Sequence, residues 1–203
     1  MAKTVREPKQ ERSIEKKNRI IRAGYELFSE IGYHNANTAM IAKRAAVSTG
    51  IVYGYFRDKK DILREVTAIY MERITRPVFE VINAISSPDE VCNKIPEIVE
   101  IVLKAHKDNA KIHEALHALT PTDPEINSAF IRLEDEITLK IAARLKELGV
   151  LSSDANERVH FAMDILQSFA HEYVYDHHEY IDYDKLKELV RQTLTALMGL
   201  RHS

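Results

Sequence analysis

The chain has no tryptophan, one cysteine, six glycines and six prolines in 203 residues. Each scarcity excludes something. A single thiol, Cys92, rules out an internal disulfide framework and a multi-cysteine metal site, and it suits a reducing compartment. So little glycine and proline argues against a turn-rich β-sandwich or barrel and for long helices. No run approaches 18 apolar residues, so no membrane-spanning helix is expected. The opening MAKTVREPKQERSIEKK is charged and lacks an apolar stretch, which predicts no secretory signal and a cytoplasmic location. The sequence shows no Gly-rich phosphate loop, nucleophile elbow or Cys–His arrangement, so the chain is read as a non-enzyme without a cofactor.

What is present is a large apolar fraction, 45%, beside 30% charged residues, enough for a packed core and unlike a disordered chain. The net charge of −2 conceals a division. Residues 1–60 carry 13 Lys and Arg against 6 Asp and Glu, a net of +7. The remaining residues carry 16 against 25, a net of −9. A basic head on an acidic body points to a polyanion bound by the head alone.

Nearly every segment reads with a helical period, giving nine helices, no convincing strand and an all-α fold. Ile20, Gly24, Leu27 and Ile31, flanked by Ile21 and Phe28, mark the buried stripe of a first helix over about residues 12–31. Two short helices follow, Thr38 to Ala45 and Thr49 to about Tyr53, the second capped by Ser48. A longer helix starts near Asp58 and heads for Phe79, with Pro77 expected to kink or end it. Ser87-Pro88-Asp89-Glu90 reads as a capped helix start. Further helices are expected over about 109–119, from Asp123-Pro124 to Leu148, from Ser153 or Asp154 to Tyr175, and from Asp182 to Leu200.

A long helix followed by two short ones across a three- or four-residue turn is the outline of a helix-turn-helix, whose second short helix enters the DNA major groove. Small residues at its start, Ser48, Thr49 and Gly50, allow close approach. Tyr53 and Tyr55 offer hydroxyls, and Lys43, Arg44, Arg57, Lys59 and Lys60 supply cations. The run GYHNANTAMIAKRAAVSTGIVYGYFRDKKDIL resembles the tetracycline-repressor (TetR) family of bacterial transcription regulators, a likeness covering about residues 12–65. Position by position, the resemblance implies that Thr38 binds a phosphate and that Lys43 and Arg44 face or flank DNA. It implies that Ser48 caps the recognition helix, that Thr49, Gly50 and Tyr53 meet bases or phosphates, and that Tyr55 and Lys59 clamp the DNA backbone. Two positions depart from the family pattern. Asn37 stands where a threonine is common, and Ala46 stands where the turn usually has glycine. If that turn is left-handed, Ala46 costs about 1 kcal/mol.

The resemblance further implies a division into a basic arm (residues 1–11), a DNA-binding domain (12–57) and a helical ligand-binding and dimerisation domain (58–203). The implied partners are a double-stranded, pseudo-palindromic operator, a second copy of the chain, and a small effector of apolar or aromatic character. Candidate pocket residues are Val99, Val102, Leu103, His106, His113, Leu116, His117, Phe130, Leu133 and Phe169. In the last two helices Phe161 and Ile165, and Leu186, Leu189, Val190, Thr193 and Leu197, form apolar stripes. They serve either a four-helix dimer interface or simply the monomer core. Arm residues Lys3, Arg6, Lys9 and Arg12 have the charge to reach a minor groove.

A rival reading starts from Glu114-x-x-His117 and Glu157-x-x-His160, the ligand spacing of di-iron helical bundles. His113 and His117 also form an i, i+4 pair. Two such matches are near the chance expectation for this composition, so no metal site is assigned.

Overall fold

The computed structural model of the protein describes residues 11–199. The expected arm, with Lys3, Arg6 and Lys9, lies outside the described residues, as does Leu200 at the end of the last stripe. The described residues form nine helices and no strand: α1 (Glu11–Ile31), α2 (Thr38–Arg44), α3 (Thr49–Tyr55), α4 (Lys59–Ala84), α5 (Pro88–Asp108), α6 (Ala110–Leu119), α7 (Pro124–Glu147), α8 (Ala155–Tyr175) and α9 (Tyr183–Leu197).

Prolines shape the boundaries less than expected. Helix α4 runs straight past Pro77 to Ala84. Proline forfeits one intrahelical bond and costs about 3 kcal/mol. Beyond it, Val81, Ile82 and Ile85 are buried, each stabilising by roughly 1.5–3 kcal/mol. Burial therefore outweighs the break. Capping follows the side chains present. Asn37 Oδ1 accepts from the Met40 N–H at 2.9 Å, and Asp182 Oδ1 accepts from the Lys185 N–H at 3.2 Å. The Glu90 carboxylate closes its turn on the Ser86 N–H, one residue before the expected Ser87.

The described helices sort into two compact units. One comprises the chain up to Glu72 together with Asn109–Ala129, and the other comprises Arg73–Asp108 and the chain from Phe130 onward. These are not the segments that a boundary at residues 57 and 58 would make. Helix α6 and the start of α7 join the first unit because their side chains find partners there. Tyr25 Oη donates to Asn109 Oδ1 at 2.5 Å, the Lys111 ammonium donates to the Glu30 carbonyl, and Tyr70 Oη meets His113 Nδ1 at 2.6 Å. Ile112 and Leu116 are fully buried.

In the first unit α1 crosses α4 closely at Gly24. A methyl group there would stand 2.7 Å from Ile62 Cγ2. Ile20, Leu27 and Phe28 continue the buried stripe as expected. Asp123, fully buried, begins α7. Its Oδ1 accepts the Glu125 and Ile126 N–H groups at 3.0 and 3.2 Å. Its Oδ2 takes Lys60 at 2.8 Å and Arg64 at 2.7 Å, both from α4. Burial alone would raise this carboxyl, but the hydrogen bonds from Arg64, Lys60 and the Ile126 N–H outweigh it and hold it well below the usual carboxylate range. In the second unit α5, α8 and α9 pack on one another around Ile95, Val99, Leu166, Phe169 and Leu194.

Helix α2 ends in a Schellman turn. The Val47 N–H reaches the Ala42 carbonyl at 3.0 Å and the Ala46 N–H reaches Lys43 at 3.2 Å. This geometry puts Ala46 at φ +54°, the left-handed region anticipated from its place in the turn. Two predictions follow from these placements. Ala46→Gly relieves about 1–2 kcal/mol of steric cost and gives back about 0.4–1 kcal/mol in unfolded-state entropy, so urea unfolding should show a gain of about 0.5–1 kcal/mol. For Asp123, a folded pKa below the unfolded value means stability present above roughly pH 4 and lost as pH falls through the folded value. Asp123→Asn should cost about 3 kcal/mol at pH 7, and the gap from wild type should narrow as the pH is lowered; a pH-independent difference would refute the ion-pair account.

Candidate nucleic-acid interface

Helices α2 and α3 are joined by the turn at Ala45–Ser48, and Ser48 caps α3 through a long contact, 3.4 Å, from the Ile51 N–H. Ile41, Ala42, Ala45, Val52 and Phe56 are buried beneath the pair. Their outward residues are Lys43, Ser48, Thr49, Gly50, Tyr53 and Gly54, all exposed. Tyr53 is 42% exposed, and its hydroxyl lies 3.0 Å from Thr38 Oγ1. The two hydroxyls, one at the start of α2 and one on α3, form a pair able to share a phosphate oxygen.

The two glycines of α3 are informative. Neither has a positive φ. A methyl at Gly54 would meet nothing within 4 Å, and one at Gly50 only Ser48 Oγ at 3.9 Å. Neither backbone conformation nor internal packing calls for glycine. What they leave is a bare helix surface beside Tyr53, which lets the α3 backbone come close to a groove floor. Gly54 was not singled out in the sequence, where it looks like one more small residue after Tyr53.

The cations divide into two groups. Lys43 has no ion-pair partner among the described residues. Arg44 turns back onto α1. Its guanidinium holds Glu30 at 2.8 Å and Glu26 at 3.3 Å, and its pKa is raised by those hydrogen bonds. Arg57 pairs with Asp61 at 2.8 Å. Lys59, expected on the DNA backbone, instead binds this chain's own backbone. Its ammonium donates to the Tyr33 and Ala36 carbonyls at 2.6 and 2.8 Å and lies 4.2 Å from the Tyr33 ring centroid. Burial pushes its pKa down. The reason is position: Lys59 begins α4 just where the loop before α2 leaves three consecutive helix-end carbonyls without helical partners. Tyr55 is likewise occupied, its hydroxyl 2.7 Å from Ser13 Oγ on α1.

The second unit holds a cavity of about 140 Å³. Helices α4, α5, α7, α8 and α9 line it, with Val78, Ile95, Val102, His106, Ile141 and Leu166 among its walls. Of the ten expected pocket residues, Val102 and His106 line this cavity. The others do not. Val99, Leu103, Leu133 and Phe169 are buried core of the same unit. Phe130 belongs to that unit without lining the cavity, and His113, Leu116 and His117 belong to the first unit. Helical periodicity marks buried faces but does not tell which buried faces adjoin a void. His106 Nδ1 donates to the Val102 carbonyl at 2.9 Å, and burial lowers its pKa.

On α8 and α9, Val190 is buried in the monomer. Ile165, Leu186 and Leu197 are half-buried and Thr193 is exposed, while Phe161 and Leu189 are 55% and 58% exposed. The Glu-x-x-His pairs do not support a di-iron centre. Glu114 and His117 belong to the first unit and Glu157 and His160 to the second, and the described residues contain no group of three or more His, Cys, Asp or Glu placed to hold a metal.

Residues 20–66 match the model of the bacterial regulatory proteins of the tetR family. The chain is 43% identical over 68 residues to the HTH-type transcriptional regulator HbdR of an Aromatoleum species, an alignment spanning 32% of this chain and 30% of that protein. It is 44% identical over 57 residues to the regulator BetI of Escherichia coli, covering 26% and 29%. The matched segment thus spans under a third of these relatives' own length. Over nearly the whole chain the fold is similar to that of a Mesorhizobium loti protein assigned to the TetR family, with a TM-score of 0.73 and 18% identity, covering 94% of this chain and 98% of the other. With a helix-turn-helix of matching sequence and an all-helical fold of matching architecture, the chain belongs to the tetR family of bacterial regulatory proteins.

Proposed function

We propose that the protein is a dimeric, sequence-specific DNA-binding regulator of transcription. It acts in the cytoplasm as a repressor, released from a two-fold-symmetric operator by a small apolar or aromatic molecule bound in the second unit. The observation that carries this reading is the exposed face of α3, bare at Gly50 and Gly54 beside Tyr53, with Lys43 available next to it. Backbone contacts from Thr38, Lys43 and Tyr53 fix position, and sequence choice falls to the α3 residues that reach base edges. Arg44, Tyr55 and Lys59 act one step back, by holding α2 and α3 in place.

Dimerisation is supported by the half-exposed apolar residues of α8 and α9. Phe161 and Leu189 stand out beside Ile165 and Leu186, a face suited to an isologous four-helix contact. In such a dimer the two α3 helices meet successive major grooves roughly 34–36 Å apart. Helix α4 gives Ile62 and Leu63 to the first unit and Val78 and Ile82 to the second. A ligand in the second unit shifts DNA affinity only by its difference in affinity for the binding and non-binding states.

The test is fluorescence anisotropy with DNA flanking the gene, at two salt concentrations and with random DNA as competitor. Specific binding with a two-fold-symmetric footprint is expected; affinity no better than for random DNA would sink the regulator reading. Within the same assay, Gly54→Leu should leave thermal stability unchanged or raised while weakening operator binding about tenfold, roughly 1.4 kcal/mol. Lys43→Ala should lower affinity on all DNA alike and reduce the salt slope by about one. Unchanged affinity in both variants would remove α2 and α3 from the interface.

A further inference from the structure

The cavity of the second unit restricts the chemistry of its occupant. Among its lining residues there is no Lys, Arg, Asp or Glu. The polar side chains in the wall are Thr75, His106 and Gln167, set among isoleucines, valines and leucines. His106 is buried, 4% exposed, and burial disfavours its charged form. With its Nδ1 proton committed to the Val102 carbonyl, the neutral imidazole presents Nε2 as an acceptor. Gln167, an exposed side chain, hydrogen-bonds this histidine and is free to swing into solvent when a ligand arrives. The size is also limited. A dry apolar cavity of about 150 Å³ takes a single benzene ring, and this one measures about 140 Å³.

Resting on the reading of this unit as the effector domain, we propose that the cavity binds a compact, uncharged molecule about one ring in size. It carries one hydroxyl group, which donates to His106 Nε2 in place of Gln167, while the ring fills the space between Val102, Ile141 and Leu166. Carboxylates of the same size are rejected. Nothing in the wall neutralises them, and a neutral imidazole acceptor repels their oxygens. Larger ligands are rejected because the walls are close-packed side chains.

Isothermal titration calorimetry of the full-length protein at pH 7.5 tests this with four probes: benzyl alcohol, toluene, benzoate and 4-phenylbenzyl alcohol. Benzyl alcohol should bind at least about tenfold more tightly than benzoate and than the two-ring alcohol, and several-fold more tightly than toluene. His106→Leu should abolish the advantage over toluene while still binding toluene. Ala162→Leu, which fills the cavity from α8, should weaken all binding without changing anisotropy on operator DNA. Benzoate binding as tightly as benzyl alcohol would overturn the charge argument, and tighter binding of the two-ring alcohol would overturn the size argument. No binding of any probe by a protein that still binds its operator would overturn this inference and leave the DNA-binding reading intact. Loss of operator binding in the wild type would instead strike at the regulator reading.

Discussion

A buried carboxylate holds the amino-terminal unit together. Asp123 sits with no solvent exposure between two cations of α4 and two N–H groups at the start of α7. A charge so placed is tolerable only when each of its oxygens is occupied. Meeting that requirement fixes where α7 begins relative to α4. Helix α4 in turn supplies Ile62 against Gly24 of α1 and Lys59 to the carbonyls of Tyr33 and Ala36. Those carbonyls belong to the loop that delivers Thr38 to the head of α2. One ion cluster thus bears, through two steps of packing, on the geometry of the surface that faces DNA.

The charge of the head is spent in two ways. The basic excess suggests a polyanion-binding surface, and a reader of the sequence counts every lysine and arginine toward it. In the structure Arg44, Arg57, Lys59, Lys60 and Arg64 are engaged by carboxylates or carbonyls of the same unit. These side chains stiffen the helix-turn-helix, while Lys43 remains available to a phosphate. Their field still favours a polyanion, but the short-range contacts rest on fewer groups, with hydroxyls and bare backbone carrying more of the recognition.

Helix positions were legible because apolar spacing and capping residues are local signals. Asn37 and Asp182 cap where expected, and the left-handed turn at Ala46 could be suspected from its place between two short helices. Pro77 misled because its cost is local while the burial of Val81, Ile82 and Ile85 that overrides it comes from tertiary packing. The pocket was the least legible feature. Val99 and Phe169 share the apolar periodicity of Val102, yet they face packed core rather than the void. Periodicity reports which face turns inward and carries no information about whether the space there is filled.

The sequence by itself determined the helical composition, the helix-turn-helix with its capped recognition helix, and the division between a basic head and an acidic body. All of these depend on residues near one another in the chain. Only the tertiary structure decided that Asp123 is a buried ion-pair centre, that α6 belongs with α1 and α4, that Lys59 grips protein rather than nucleic acid, and that Gly50 and Gly54 face open space. Each of these turns on which distant side chain occupies a partner's hydrogen-bonding sites or the volume beside it, and that is settled by packing across many residues of separation.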